Sequence, residues 1–280
     1  MKKIFAALLL ASIITASCGA SSSQNTNLLL VSTTSTQDSG LLDVILPAFT
    51  EKNGYTVQLV AVGSGQALKI GAEGNADVIL LHSPAAEKQF MSDGFGIDRR
   101  LVMHNDFVLV GPPSDPAGIR GKSPVDALDE IFASRVTFVS RGDESGTHVK
   151  ELAIWKNAEL DPVDEDWYLE TGQGQGPTLS IASEKAGYAI TDRGTFLAYK
   201  SNVDLEILVE GDPFLLNVYH VITVNPEKWP NVNLEGAKAF ADFVTSPEGQ
   251  HIIGEFGMDK YGQQLFIPDA NRTDEELGLP

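Results

Sequence analysis

One cysteine, Cys18, stands in a chain of 280 residues, so no disulfide can close within it and no thiolate cluster can hold a metal. Basic residues are scarce as well. Lysine and arginine number 20 against 38 acidic side chains, a net charge of −18, which excludes nucleic acid as a partner because phosphate backbones are held by lysine and arginine stripes. The same field opposes an anion arriving from solution, so any anion site must rest on donors placed locally. The five histidines (His82, His104, His148, His220 and His251) lack metal-ligand spacing, and no period of 20–50 residues marks a solenoid. Long apolar runs are missing too, apart from residues 4–14, which are too short to remain as a membrane span.

Those apolar residues follow Met1-Lys2-Lys3, and residues 1–17 read as a secretory signal peptide. Thr15-Ala16-Ser17-Cys18 resembles a lipid-attachment box, in which Cys18 becomes a lipidated N-terminus and residues 18–27 a tether. An ordinary cut after Ala20 is the rival reading. Loss of Lys2 and Lys3 with the leader takes the net charge from −18 to −20.

The remainder has ordinary globular composition, 42% hydrophobic and 8% aromatic, enough for one large domain or two of medium size. Strand and helix patterns alternate along it. Residues 28–31 predict a strand, Ser32-Thr33-Thr34-Ser35-Thr36 a hydroxyl-rich loop, and Leu41, Leu42, Ile45, Leu46 and Phe49 a helix. Residues 56–62 predict a second strand that passes through Gly63-Ser64-Gly65 into another helix. After a third strand at 77–81 and a helix at 84–91, an extended segment at 101–110 ends at Gly111-Pro112-Pro113, read as a crossing between lobes. A second α/β unit follows, and a strand at 217–224 with helices at 237–244 and 248–256 returns the chain to the first lobe. The expected architecture is α/β with two lobes, each a mixed sheet flanked by helices, joined by two hinge crossings with the ligand in the cleft between. Its boundaries are 28–111 for the first part of lobe 1, 112–205 for lobe 2 and 206–280 for the return to lobe 1.

Chemistry concentrates at the stretch from Phe138 to His148. A short strand hands over to a polar turn, and Ser145-Gly146-Thr147 opens a helix whose first N–H groups have no intrahelical partner. Such an end receives anions, and Arg141 can swing a planar, permanently charged fork over it. Ser39-Gly40 and Ser64-Gly65 are read as the same kind of strand-to-helix junction, and ligands bind at carboxyl ends of strands in α/β sheets. No dinucleotide fingerprint or Walker lysine accompanies them.

The segments Ser-Thr-Thr-Ser-Thr-Gln-Asp-Ser-Gly-Leu-Leu (32–42), Val-Gly-Ser-Gly-Gln-Ala-Leu (62–68), Asn-Asp-Phe-Val (105–108), Ser-Arg-Gly-Asp-Glu-Ser-Gly-Thr-His (140–148) and Thr-Asp-Arg-Gly-Thr (191–195) together resemble the tungstate-binding proteins of bacterial ABC importers. The resemblance spans residues 28–199. It implies a periplasmic-type solute-binding fold, capture of tungstate or molybdate without cofactor or catalysis, and delivery to a membrane permease. It also implies a monomer in the periplasm or lipid-anchored through Cys18 on the outer face of the membrane. Carried over by position, Thr33, Thr34, Ser35, Ser64, Arg141, Ser145 and Thr147 surround the oxyanion and Gly146 donates its backbone N–H. The chain departs from the family at Ser32 and Ser64, where threonine is usual, and at Gln175, where methionine is.

The Arg-x-x-x-Ser-Gly-Thr spacing also resembles phosphate-binding proteins of the same transporter class. Tungstate offers only acceptors, whereas phosphate often keeps a proton and profits from a carboxylate, for which Asp38, Asp143 and Glu144 are the candidates. Ser145, His148 and Asp143 hold the ingredients of a hydrolytic triad. Ser145 and His148 lie on one helix turn, however, and no nucleophile elbow is present, so the sequence favours a binding protein.

Overall fold

Strand and helix alternate as the periodicity predicts in the computed structural model, which describes residues 25–279. The leader, Cys18 and the cut after Ala20 lie outside those residues. The chain begins with β1 (Asn27–Thr33), α1 (Thr34–Asp38), α2 (Leu42–Asn53), β2 (Thr56–Val62), α3 (Ser64–Ala72), β3 (Val78–Leu81) and α4 (Pro84–Ser92). A long β4 (Gly96–Gly111) leads to α5 (Pro124–Ser134), β5 (Phe138–Ser140), α6 (Gly146–Asn157), β6 (Tyr168–Glu170), α7 (Gln175–Glu184), β7 (Ala189–Asp192), α8 (Arg193–Tyr199) and β8 (Glu206–Val209). The return comprises β9 (Leu216–Val224), α9 (Leu234–Val244), α10 (Pro247–Glu255) and β10 (Ile267–Pro268). No helix among the described residues is long and apolar enough to cross a membrane.

Lobe 1 is a mixed sheet in the order β10-β4-β9-β3-β1-β2, with β1 parallel to both β2 and β3 and the remaining pairs antiparallel. Its inner strands β1, β3 and β9 are largely buried on both faces. Phe49 of α2 meets Phe240 of α9 edge to face at 5.3 Å on one side, and Leu68 and Phe90 pack with Ile79 on the other. In lobe 2 the far end of β4 lies between β7 and β8, and a single parallel bridge from Phe138 to Tyr188 links this group to the β5–β6 pair. Trp155 of α6 and Ile131 of α5 close one face of lobe 2, and Leu179 and Phe196 the other.

One strand therefore serves both lobes. β4 pairs with β9 as far as Asp106 opposite Leu216, and from Phe107 onward it pairs with β7. The partner of β4 changes between Asp106 and Phe107, so residues 107–111 pair with β7 and β8. Gly111-Pro112-Pro113 ends β4, since proline lacks the N–H needed to continue a ladder.

Two local expectations change. The hydroxyl run expected as a loop ends β1 and forms the one-turn helix α1, because the Thr33 hydroxyl accepts the Thr36 N–H and caps it. Ser39-Gly40 consequently joins two helices, α1 and α2, instead of a strand and a helix, and Gly40 takes a positive φ of 83° to make the corner.

Candidate functional site

The carboxyl ends of β1, β3 and β5 deliver three groups to one region between the lobes. From β1 comes Thr33, buried, whose Oγ1 lies 3.1 Å from Ser35 Oγ and 2.6 Å from Thr36 Oγ1. From β3 comes His82, whose Nε2 lies 3.1 Å from both Thr33 Oγ1 and Ser35 Oγ. From β5, in the other lobe, come Arg141 and the start of α6. There Ser145 caps the helix as the sequence predicts, its Oγ accepting the His148 N–H at 3.3 Å. Thr147 is buried in the first turn.

The lobes touch at Gly146. A Cβ placed there would stand 3.0 Å from His82 Cε1, so glycine is what lets α6 come this close. Thr33, Ser35 and Gly146 are thus drawn around His82. Thr34 is exposed on α1, and Ser64 is half-buried in the first turn of α3, at the end of β2 beside β1.

Arg141 is held by a tight loop. Gly142 and Glu144 both adopt positive φ, and a Cβ at Gly142 would fall 2.7 Å from Glu170 Cβ. Arg141 donates through Nη2 to Asp143, while its Nε is buried with no hydrogen-bond partner among the described residues. Burial alone would raise the Asp143 pKa, but hydrogen bonds from Ser145 and the Arg141 charge hold it below the usual carboxylate range. The Asp143 carboxylate is spent on the loop itself. Glu144 is exposed, and its N–H donates to His148 Nδ1 at 3.1 Å, which turns the imidazole away from Ser145.

Beneath the Arg141 loop lies a buried acid. Glu151 accepts hydrogen bonds from Ser140 Oγ at 2.8 Å, Tyr168 OH at 2.7 Å and Trp155 Nε1 at 3.3 Å. Burial outweighs these donors and pushes its pKa up to about 7. Ser140 in turn accepts the Gly142 N–H at 3.2 Å, so the acid braces the loop from below.

The floor of the cleft is the double crossing. Asn217 of β9 donates to Asn105 Oδ1 of β4 at 2.8 Å and to Tyr219 OH at 3.0 Å. Asp192 caps α8 through the Thr195 N–H and hydroxyl, and Arg193 grips Asp106 with two hydrogen bonds at 2.7 and 2.6 Å while also bonding Glu210. Arg193 is therefore a hinge clamp. Gln175 is buried at the start of α7 and donates to the Ile190 carbonyl at 3.0 Å.

Sequence reasoning missed His82, Asn105, Asn217 and Tyr219. His82 had a signal, because Leu81-His82-Ser83-Pro84 is a strand-to-helix junction like the others, with proline at the first helical position. The larger cavities lie elsewhere. One of about 390 Å³ adjoins Arg193 and Asp106 at the hinge, and one of about 590 Å³ opens at the amino ends of β1 and β2. A four-oxygen ion needs far less room than either, so cavity size is a poor guide to such a site. No cluster of three or more metal-ligating side chains occurs among the described residues.

A family model described as a PBP superfamily domain matches residues 20–248. The tungstate-binding protein TupA of Peptoclostridium acidaminophilum is 49% identical over 247 residues, covering 87% of this chain and 86% of the relative. The chain belongs to the PBP superfamily and, within it, to the TupA tungstate-binding proteins. Among solved structures, the TupA-family chain superposes on the tungstate-binding protein TupA from Desulfovibrio alaskensis G20 with a TM-score of 0.81 at 46% identity, covering 87% of this chain and 99% of the other. It matches the tungstate ABC transporter structure from Geobacter sulfurreducens with a TM-score of 0.74 at 49% identity, covering 82% and 98%. The two-lobed fold is that of this family.

Two expectations arise from the geometry of this TupA-family site. Gly146→Val puts a branched side chain against His82 and should hold the lobes apart, so small-angle scattering is expected to give a larger radius of gyration than wild type. An unchanged radius would remove the His82–Gly146 contact as a limit on closure. Between a pKa of 4.5 for the unfolded chain and about 7 for the folded one, Glu151 binds its proton only when folded. Its contribution to stability is therefore whole below that window and lost as pH rises through it. Compared with wild type, Glu151→Gln should lose less melting temperature from about pH 5 to about pH 8, the difference corresponding to about 3 kcal/mol or less. Parallel pH profiles for the two proteins would contradict this.

Proposed function

We propose that this protein is the extracytoplasmic solute-binding component of an ABC importer and that it captures tungstate, with molybdate as a second substrate, between its two lobes. The observation that carries the reading is the meeting of two helix N-termini from opposite lobes: Thr33 and Ser35 at α1 and Ser145, Gly146 and Thr147 at α6, with the unpartnered Arg141 Nε beside them. Helix starts leave N–H groups without intrahelical partners and carry the positive end of the macrodipole. The naming of the relatives as tungstate-binding supports the choice of ion.

In this reading the hydroxyls of Thr33, Thr34, Ser35, Ser64, Ser145 and Thr147, the Gly146 N–H and the Arg141 guanidinium surround the ion. A charge-assisted hydrogen bond contributes about 1.5–3 kcal/mol, and a handful suffice for tight capture. The site binds and releases without catalysis or cofactor. The imidazole of His148, which accepts the Glu144 N–H, is unavailable as a base for Ser145, and this favours binding over hydrolysis. The protein acts as a monomer outside the cytoplasm, cleaved after residue 17 and tethered by lipid at Cys18, and a membrane permease receives its cargo.

Arg141 alone brings a full positive charge, so Arg141→Gln should weaken tungstate binding at least about tenfold, or about 1.4 kcal/mol. Titration calorimetry giving an unchanged affinity would remove Arg141 from the site. Ligand identity is tested by a thermal-shift panel on the mature chain. Tungstate and molybdate are expected to raise the melting temperature, with phosphate leaving it in place. Stabilisation by phosphate alone would transfer the assignment to a phosphate-binding protein of the same transporter class.

A further inference from the structure

His82 leaves β3 as Thr33 leaves β1, at the carboxyl end of a strand facing the other lobe. It is 8% exposed and its ring packs on Tyr219 with centroids 4.7 Å apart, so its orientation is fixed. Two hydroxyl oxygens, Thr33 Oγ1 and Ser35 Oγ, converge on Nε2 at 3.1 Å. The Cε1 corner of the ring, between the two nitrogens, faces Gly146, where an added Cβ would stand 3.0 Å from Cε1, 3.6 Å from Nδ1 and 4.0 Å from Nε2. Nδ1 is buried with no hydrogen-bond partner among the described residues, although the Asn217 amide lies close enough to favour a charged ring.

A buried polar atom left unpaired on a fixed ring costs free energy, and such atoms in folded proteins call for a ligand or water. Here the tautomer can be argued. Thr33 Oγ1 accepts the Thr36 N–H and lies 2.6 Å from Thr36 Oγ1, so its own proton can go to Thr36 or to His82. A Thr33 or Ser35 hydroxyl donating to Nε2 requires that nitrogen to be the acceptor and puts the ring proton on Nδ1.

We propose that His82 is a ligand-contacting residue of the oxyanion site, its Nδ1–H presented as a neutral donor to the bound ion while Thr33 and Ser35 hold Nε2. This rests on the oxyanion reading of the cleft and adds a donor that no hydroxyl or helix end supplies. Burial lowers the ring pKa to about 4, so the donor stays uncharged at neutral pH and imposes no unpaired charge on the empty protein. Its location beside Gly146 makes it the lobe 1 group nearest the start of α6, so an ion held there completes the contact between lobes.

The test uses the two amide replacements, because an asparagine amide nitrogen overlays Nδ1 and a glutamine amide overlays Nε2. His82→Asn should keep tungstate affinity within about threefold of wild type, and His82→Gln should lose at least about tenfold, by titration with sodium tungstate. If His82 only braced Thr33 and Ser35, the order would reverse or the losses would be equal, and either result overturns the proposal. Two variants that bind as wild type does overturn it too. Should the variants not fold, wild-type protein with ¹⁵N-labelled histidine gives the answer. The ring in contact with Tyr219 should show a protonated Nδ1 whose signal moves when tungstate saturates the protein, and a ring protonated on Nε2 or a static signal overturns the assignment. Absence of any wild-type heat with tungstate defeats the oxyanion reading itself and this proposal with it, whereas wild-type binding with the wrong variant order defeats only the role of His82.

Discussion

The two lobes share a strand, and this fixes what can move. β4 is bonded to β9 up to Asp106 and to β7 from Phe107, so its ladder changes lobes between adjacent residues. The second crossing runs into β9 at Leu216, directly opposite Asp106. With both crossings side by side, rotation of one lobe against the other is confined to bending at this pair. Arg193, forked onto Asp106 and reaching Glu210, ties both crossings together with a bidentate ion pair of the strong, geometrically specific kind. Lys150 adds a tie from α6, donating to the Phe214 and Leu216 carbonyls at 2.8 and 3.2 Å. Hinge bending is thereby coupled to the helix whose N-terminus faces His82.

That coupling matters because the protein has to hold an anion against its own net charge of −18. At physiological salt the field of surface carboxylates fades over about 8 Å, so a site enclosed between lobes is governed by its immediate walls. Those walls are donors fixed in place before the ion arrives: capped helix ends, hydroxyls and one guanidinium. Fixed donors in a region of low dielectric bind an anion without reorganising, which is how a locally positive pocket survives in an acidic molecule. Asp143 offsets part of the arginine's charge but also orients it, and its bond to the Ser145 N–H joins the arginine loop to the helix cap.

Much of this was legible in the chain. Alternating patterns located the strands and helices to within a few residues, and Ser145 proved a helix cap because short polar side chains satisfy the first N–H groups whatever lies beyond. The hinge was not legible. Across Asn105-Asp106-Phe107 the strand never breaks, and a change of pairing partner leaves no mark on a sequence whose backbone stays extended. Proline and glycine mark ends of strands, and Gly111-Pro112-Pro113 does end β4, beyond the point where its pairing partner changes. His82 escaped for a different reason. Histidines were weighed for metal spacing, whereas what distinguishes this one is the set of neighbours brought by β1 and α6, and long-range neighbours are not encoded in spacing.

Selectivity follows from which acceptors are already occupied. An ion that keeps a proton needs a carboxylate or other acceptor to receive it, and a fully deprotonated one is repelled by the same group. Near the proposed site Asp143 is engaged by Arg141 and Ser145, and Asp192 has one oxygen on the Thr195 N–H and the other on the Thr195 hydroxyl. Asp38 is exposed at the end of α1 and Glu144 on its loop. In the proposed site a protonated anion between α1 and α6 meets hydroxyl oxygens as the acceptors for its hydrogen, weaker ones than a free carboxylate. Such a site would favour tungstate, which brings no hydrogen to place, over hydrogen phosphate. On the proposed reading, discrimination among the deprotonated ions rests on the spacing of the α1 and α6 starts, near which His82 meets Gly146.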